Sequence, residues 1–221
     1  MKRAPFDAIL KNGQPVLVRE VTPADRHLLE IGYAQLSSQS RYFRFLAARH
    51  DLTPSELDKF TARNSEDHVA IGALTQGTPI PQPIGIARYV RFPDQPHKAE
   101  IAITIVDAVQ RQELGSLLLE ALWINAERSG ISEFYALVHR DNEAMLGLLE
   151  RYGARLSPLA GEEIEVSLPI TGGSAQPAPI AGQRIPSAKT RLSLNLPPKT
   201  CGFTGADQSI SVWLDDGGAI V

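Results

Sequence analysis

The chain has 221 residues, 43% of them apolar and 21% charged, with a formal net charge of −3 and one cysteine, Cys201. That length accommodates one well-buried domain with a remainder, and the composition excludes wholesale disorder. The mildly negative charge excludes non-specific holding of a phosphate backbone, so nucleic acid is not an expected partner, and a lone cysteine excludes an intrachain disulfide or a cysteine-built zinc site.

MKRAPFDAILKNG, at the start, has two basic residues but no apolar stretch of signal-peptide length. No later run reaches the roughly 18 to 20 apolar residues of a membrane span, so a cytoplasmic chain without a membrane segment is the expectation. Asn12-Gly13 is a hairpin-type turn signal, and Pro15 to Glu20 (PVLVRE) alternates apolar and polar after it, which predicts a first strand. Thr22-Pro23-Ala24-Asp25 puts a capping hydroxyl before a proline at the first helical position, and Leu28, Leu29, Ile31 and Leu36 give the helix that follows an apolar stripe. Thr53-Pro54-Ser55-Glu56 is a capping box that opens a second helix through Leu57 and Phe60. The stretch between the two helices, SSQSRYFRFLAARH, carries no assignment.

His68 to Thr75, Pro83 to Phe92 and Lys98 to Asp107 read as three successive strands separated by GTPIPQP and PDQPHK, an antiparallel meander. A helix follows from Glu113 to Arg128, with Leu114, Leu117, Leu118, Ala121 and Leu122 on one face and Gly130 as its stop. Strand Ile131 to His139, a helix from Asn142 to Tyr152 stopped by Gly153, and a strand over Glu163 to Leu168 complete the order. The expectation is an α+β fold: a mixed, mostly antiparallel sheet flanked by helices, over residues 1–170. From Thr171 the sequence turns rich in Gly, Pro, Ala and Ser without periodicity, so 171–221 is expected to be a disordered tail, with SISVWLDD as a possible short strand.

Chemistry concentrates in two adjoining stretches. In EIAITIVD, alternation puts Ile101, Ile103 and Ile105 on one face, the core, and Glu100, Ala102 and Thr104 on the other. A carboxylate beside two small side chains suits the floor of a cleft, or else a half-exposed strand whose Glu100 is only solvated. QRQELGSLLLEAL follows, and a strand, a tight loop and a helix start together form an anion site from first-turn N–H groups and the positive dipole end.

Glu100-Ile101-Ala102-Ile103-Thr104-Ile105, then Gln110, then Leu114-Gly115-Ser116-Leu117-Leu118 resemble the acetyl-coenzyme A motif of the GNAT superfamily of N-acetyltransferases. HRDNEAMLGLLERYGARL resembles that superfamily's next helix, opened by an Asn and ended by a Gly. NGQPVLVREVTPAD and LSSQSRYFRFL are similar to the amino-terminal part of the acetyltransferase domain in Pat-type bacterial protein lysine acetyltransferases. The resemblance covers residues 10 to 169 and implies the GNAT fold, acetyl-CoA as co-substrate without a metal, and a primary amine as acceptor, on a protein lysine or a small molecule. It implies direct attack of that amine on the thioester in a ternary complex. By the same match, Glu100 would be the general base, working through a water. Backbone at Ile103 and Ile105 would meet the thioester arm, and Gln110, Arg111, Gln112, Leu114, Gly115 and Ser116 would cradle the pyrophosphate. Asn142 would contact the pantetheine arm, beside its plainer role as an N-cap. Whether the chain is a monomer or a homodimer stays open.

Two departures from the family pattern stand out. Leu149 occupies the place of a tyrosine that would protonate the leaving thiolate, and Tyr152 is three residues away, so no side-chain acid is assigned. Glu113 occupies the first glycine of the Q-x-x-G-x-G pattern. A carboxylate about 5 Å from a pyrophosphate oxygen repels it by roughly 1 to 3 kcal/mol, whereas an acid in a first helical turn stabilises the helix by roughly 0.3 to 1 kcal/mol. The alternative reading is therefore a GNAT-fold binding or regulatory module disabled by Glu113, although Arg111 could offset the charge. The five histidines, at 27, 50, 68, 97 and 139, lack metal-ligand spacing. His139 ends a strand beside the cleft, either touching substrate or solvated. Tyr42, Phe43 and Phe45 either line the acceptor side or pack under the first helix pair.

Overall fold

The computed structural model describes residues 4–47 and 51–170, and the expected tail lies outside them. Strands Phe6–Ile9, Pro15–Glu20, His68–Thr75, Pro83–Phe92, Gln95–Ile105, Glu133–His139, Arg155–Pro158 and Glu163–Pro169 are numbered β1 to β8 in chain order. Helices Arg26–Ala34, Ser38–Phe45, Pro54–Phe60, Leu114–Arg128 and Glu143–Arg151 are α1 to α5. One sheet runs in the order β1-β2-β3-β4-β5-β6-β8-β7, antiparallel throughout except between β5 and β6. This is the α+β architecture expected, with helices on both sheet faces.

All six predicted strands and four predicted helices are present, and three elements are added. β1 and β7 have four residues each and form the two edges of the sheet, too short for a period of two to be read. α2 fills the unassigned stretch. Its residues SQSRYFRF alternate cations and aromatics, so no clean apolar stripe marks it, yet Ser37 Oγ accepts the Ser40 N–H at 3.1 Å as an N-cap. β5 starts at Gln95, ahead of the expected Lys98, because only Pro93 and Asp94 form the turn after β4.

The alternation along β5 holds and sorts the two helical layers. Ile101, Ile103 and Ile105 face α4, where Leu118, Leu119 and Leu122 are wholly buried, each contributing about 1.5 to 3 kcal/mol. Gly85 permits this close approach: a Cβ there would sit 2.8 Å from Ile105 Cδ1 and 3.1 Å from Leu114 Cδ2. The face carrying Glu100, Ala102 and Thr104 reads in the sequence either as a cleft floor or as a half-exposed strand. It is instead roofed by α1, α2 and α3, and Ala102 is 3% exposed. Packing of an extra helix that the sequence did not reveal is the reason for that difference.

Candidate functional site

β5 and β6 pair only at Lys98↔Glu133, Ala99↔Phe134 and Glu100↔Tyr135. Beyond that point β5 stays on β4 as far as Ile105↔Gly85, while β6 stays on β8 as far as His139↔Glu163. The two strands therefore part, and a cleft of about 670 Å³ opens where they diverge. Ile103, Thr104 and Ile105 form one wall, and Asn142 to Met145 with Gly147 and Leu148, at the start of α5, face them. In the loop after β5, Asp107, Val109 to Arg111 and Glu113 to Ser116 close the end, whereas Gln112, expected in the cradle, is not among the lining residues.

That loop is strained where a glycine would relieve it. Arg111 and Glu113 have φ of 58° and 70°, in the left-handed region that glycine adopts most readily. Glu113 is the N-cap of α4 but makes no side-chain cap, so its carboxylate satisfies none of the first-turn amides, and Leu114, Gly115 and Ser116 belong to the cleft lining. Gly115 sits close against α5, since a Cβ there would lie 3.1 Å from Leu148 Cδ2. Cations and anions share the cleft lining: Lys11, Arg44, Arg111 and Arg151 against Asp107, Glu113, Asp141 and Glu143.

Gln110 and Asn142 both serve the scaffold. Gln110 Nε2 donates to Ile105 O at 3.1 Å and to Ser40 Oγ at 3.3 Å, tying the loop to β5 and to α2. Asn142 lines the cleft and caps α5, its Oδ1 accepting the Met145 N–H at 3.2 Å. Leu149 is fully buried, and the Tyr152 hydroxyl donates to Glu120 Oε1 at 2.8 Å. Burial first, then Glu120, pushes the Tyr152 pKa far up, so this phenol does not give up its proton readily.

Glu100 stands apart from the cleft lining. It lies on the α1–α3 side of β5, about 13 Å along the strand from Thr104 at roughly 3.3 Å per residue. Its neighbours are charged and polar. Arg88 is wholly buried, and burial lowers its pKa to about 10 while the charges of Glu100 and Glu56 act the other way. Burial raises the pKa of Tyr135, the residue opposite Glu100 on β6, and the charges of Glu165 and Glu100 add to this.

α2 brings residues to this side that the sequence did not single out. Asp107, at the end of β5, accepts from Ser37 N, Ser37 Oγ and Ser40 Oγ at 2.9, 2.7 and 2.8 Å. Burial alone would raise the Asp107 pKa, but these hydrogen bonds outweigh it and hold the carboxyl below its ordinary value. Phe45 packs in the core against Tyr33 and Phe60, whereas Tyr42 and Phe43 flank His139 at 5.5 and 5.3 Å between ring centroids. His139 is neither solvated nor in the cleft. It is 4% exposed, its Nδ1 accepting the Asp141 N–H at 3.1 Å and its Nε2 facing Glu162 Oε2 at 3.2 Å. Lys11 joins the site because its own N–H donates to Gln112 O at 3.3 Å, docking the β1–β2 turn on the loop. A weak S-x-x-S cap signal preceding the aromatics was the one trace of α2 in the sequence. Nothing local marked Lys11 or Arg151. Among the described residues no helix is long and apolar enough to cross a membrane, and no acid, histidine and cysteine cluster could hold a metal ion.

A sequence model of the acetyltransferase (GNAT) domain matches residues 16–155. The chain is 32% identical over 150 residues to the acetyltransferase Pat of Mycolicibacterium smegmatis, which covers 68% of this chain and 44% of that protein. It thus spans under half the length of that relative. The structure of the GNAT domain of S. lividans Pat superposes with a TM-score of 0.67 at 27% identity, over 74% of this chain and 96% of that one. The structure of yncA from Salmonella typhimurium, with its cofactor acetyl-CoA, superposes with a TM-score of 0.57 at 18% identity, over 75% and 99% of the two chains.

Proposed function

The chain belongs to the GNAT acetyltransferase family, and from that premise we propose that it moves acetyl from acetyl-CoA to a primary amine by direct attack in a ternary complex. The acceptor is a protein lysine or a small amine, and the likeness to Pat favours the lysine. One observation carries the reading: β5 and β6 part beside a helix start whose N-cap side chain leaves the first-turn amides to a ligand. Such amides, at the positive end of a helix, suit a pyrophosphate. Lys11, Arg111 and Arg151 add cationic charge to the same lining, which also holds Asp107, Asp141 and Glu143 beside Glu113.

In this reading the Leu114 to Ser116 backbone holds the pyrophosphate, Asn142 meets the pantetheine arm, and Ile103 and Ile105 bound the thioester. A backbone N–H near Ile105 polarises the thioester carbonyl, where negative charge develops. Glu100 takes the proton of the attacking ammonium through water. The charge of Glu100 acts on the buried Arg88, and a carboxylate is the form that accepts a proton. Tyr152 is engaged by Glu120, so the coenzyme thiolate leaves without a side-chain acid. The catalytic unit is residues 1–170, and removal of 171–221 leaves turnover intact.

A second reading, a GNAT-fold binding module, has a specific support in Glu113, which places a carboxylate in the cleft at a glycine-like φ. Calorimetry with acetyl-CoA separates the two. Micromolar binding to the wild type, followed by thiol release against a panel of lysine peptides and small amines, supports the enzyme. No binding at millimolar ligand, restored by Glu113→Gly, supports the module instead.

A further inference from the structure

A second cavity lies behind the coenzyme cleft, on the Ala102 and Thr104 face of β5. It measures about 100 Å³ and is walled mostly by apolar groups of α1–α3 and the sheet, among them Leu28, Tyr33, Phe45, Phe60 and Ile86. Arg44 and Thr104 belong to the walls of both cavities. The two cavities therefore share a boundary at these residues. The second cavity's three guanidinium groups are already engaged, Arg19 being paired with Asp25 of the same lining at 2.6 Å. Arg44 lies 5.0 Å over the Phe45 ring, Arg88 lies 4.2 Å over the Phe60 ring, and Arg88 also answers the charges of Glu100 and Glu56.

The chemistry of the walls narrows what can occupy this space. An ammonium would lose its hydration among these apolar groups. Glu100, the base in the reading above, lines neither cavity, so the attacking amine has no reason to enter. Hydrocarbon attached to the thioester fits both walls and position. Resting on the acetyl-CoA reading, we infer that the chain also takes acyl groups longer than acetyl, with aliphatic tails that pass between Arg44 and Thr104 into this cavity. At roughly 30 Å³ for each small group, the cavity holds about three carbons beyond acetyl, which sets the limit near five. The transfer balances as for acetyl. The amine nitrogen gains a bond to the acyl carbon and gives a proton to the base, and the carbon–sulfur bond breaks with its electron pair going to sulfur.

The test is calorimetry on the full chain with acetyl-, propionyl-, butyryl-, octanoyl- and succinyl-CoA. In the wild type, Kd should fall about fourfold for each methylene up to butyryl, the increment for burying one CH2. Octanoyl-CoA should bind more weakly than butyryl-CoA. Two variants fill the cavity from opposite walls: Ala102→Leu on β5, and Gly32→Leu on α1, where a Cβ meets only Pro83 at an ordinary 3.6 Å. Each should erase the butyryl gain and leave the acetyl-CoA Kd within about twofold. If one variant fails to fold, the other decides. Equal Kd for acetyl- and butyryl-CoA in the wild type overturns the inference alone, as does a gain that survives cavity filling. Succinyl-CoA binding more tightly than butyryl-CoA overturns it too, by making the cavity an anion site. No binding by any acyl-CoA removes the coenzyme reading and this inference together.

Discussion

The two faces of β5 are built from different materials. Toward α4 the strand offers Ile101, Ile103 and Ile105, and the site beyond them is made of backbone: a strained loop, first-turn amides and a glycine that lets α4 meet α5. Toward α1–α3 the strand offers Glu100, Ala102 and Thr104, and the surroundings are side chains drawn from five elements, including the buried Arg88 and the α2 aromatics. A backbone site tolerates sequence change as long as its conformation survives. A site of buried side chains depends on each charge being answered, because an unanswered one is costly in a low-dielectric interior. Substitutions should therefore have large, specific effects on the α1–α3 face and graded ones at the loop.

The largest effect is expected at Glu100. If the charged face performs the chemistry, Glu100→Gln should lower kcat by about 10² to 10⁴, the usual contribution of a general base. Acetyl-CoA affinity by calorimetry should stay within about twofold, since Glu100 lies off the cleft lining. Turnover and a pH–rate profile that match the wild type would remove Glu100 from its role.

His68, on the same face of the sheet, gives the next largest effect. Burial first, and then the charge of Arg88, lower its pKa from 6.5 to about 4. The folded chain thus keeps His68 neutral while the unfolded chain protonates it below about pH 6.5. The stabilisation is complete above that pH and is lost as the pH falls through about 4. A shift of that size amounts to about 3 kcal/mol between pH 7 and pH 4. Urea unfolding across that range should show the slope in the wild type and a flatter curve in His68→Gln. Equal slopes would place the acid sensitivity elsewhere.

The same contrast governs what the sequence disclosed. Signals within about fifteen residues of one another were legible: the β5 alternation, the loop running into α4, and the Thr53 and Asn142 caps. The α1–α3 face rests on contacts between residues far apart in the chain. Ser37 to Asp107 spans 70 positions, Gln110 to Ser40 also spans 70, and His139 meets Phe43 across the whole meander. No single stretch encodes such contacts, so α2 went unassigned and His139 was placed at the surface or in the cleft. The strained φ of Glu113 is a third kind of information. A departure from a glycine pattern names the position, but only the backbone shows that the left-handed conformation persists there without the glycine.

That persistence makes Glu113→Gly the sharpest probe of the backbone side. Removing the carboxylate should tighten acetyl-CoA by about fivefold to a hundredfold, from roughly 1 to 3 kcal/mol of repulsion. It should also stabilise the fold by about 1 kcal/mol, since glycine adopts positive φ without the steric cost of a Cβ. Thermal unfolding and calorimetry on the same protein separate the two gains. A stability gain without tighter binding would mean that the Glu113 carboxylate turns away from the pyrophosphate.

Lys11 carries the smallest expected effect and the most direct test of whether the loop is a backbone site at all. Its backbone N–H is fixed to Gln112 O, but its ammonium is an exposed charge on the cleft rim. An exposed charge contributes less than about 1 kcal/mol and is screened by salt. Lys11→Ala should therefore raise the acetyl-CoA Kd by about two- to fivefold at low ionic strength, with the difference fading toward 0.5 M salt. Dephospho-CoA, with one phosphate fewer, decides which anion Lys11 meets. If its Kd is indifferent to Lys11→Ala while that of coenzyme A is not, the lysine serves the 3′-phosphate, and the amides of α4 hold the pyrophosphate unaided. A loss of tenfold or more that persists in high salt would instead mean that the β1–β2 turn shapes the loop through its hydrogen bond, and that the backbone side depends on distant residues as much as the charged face does.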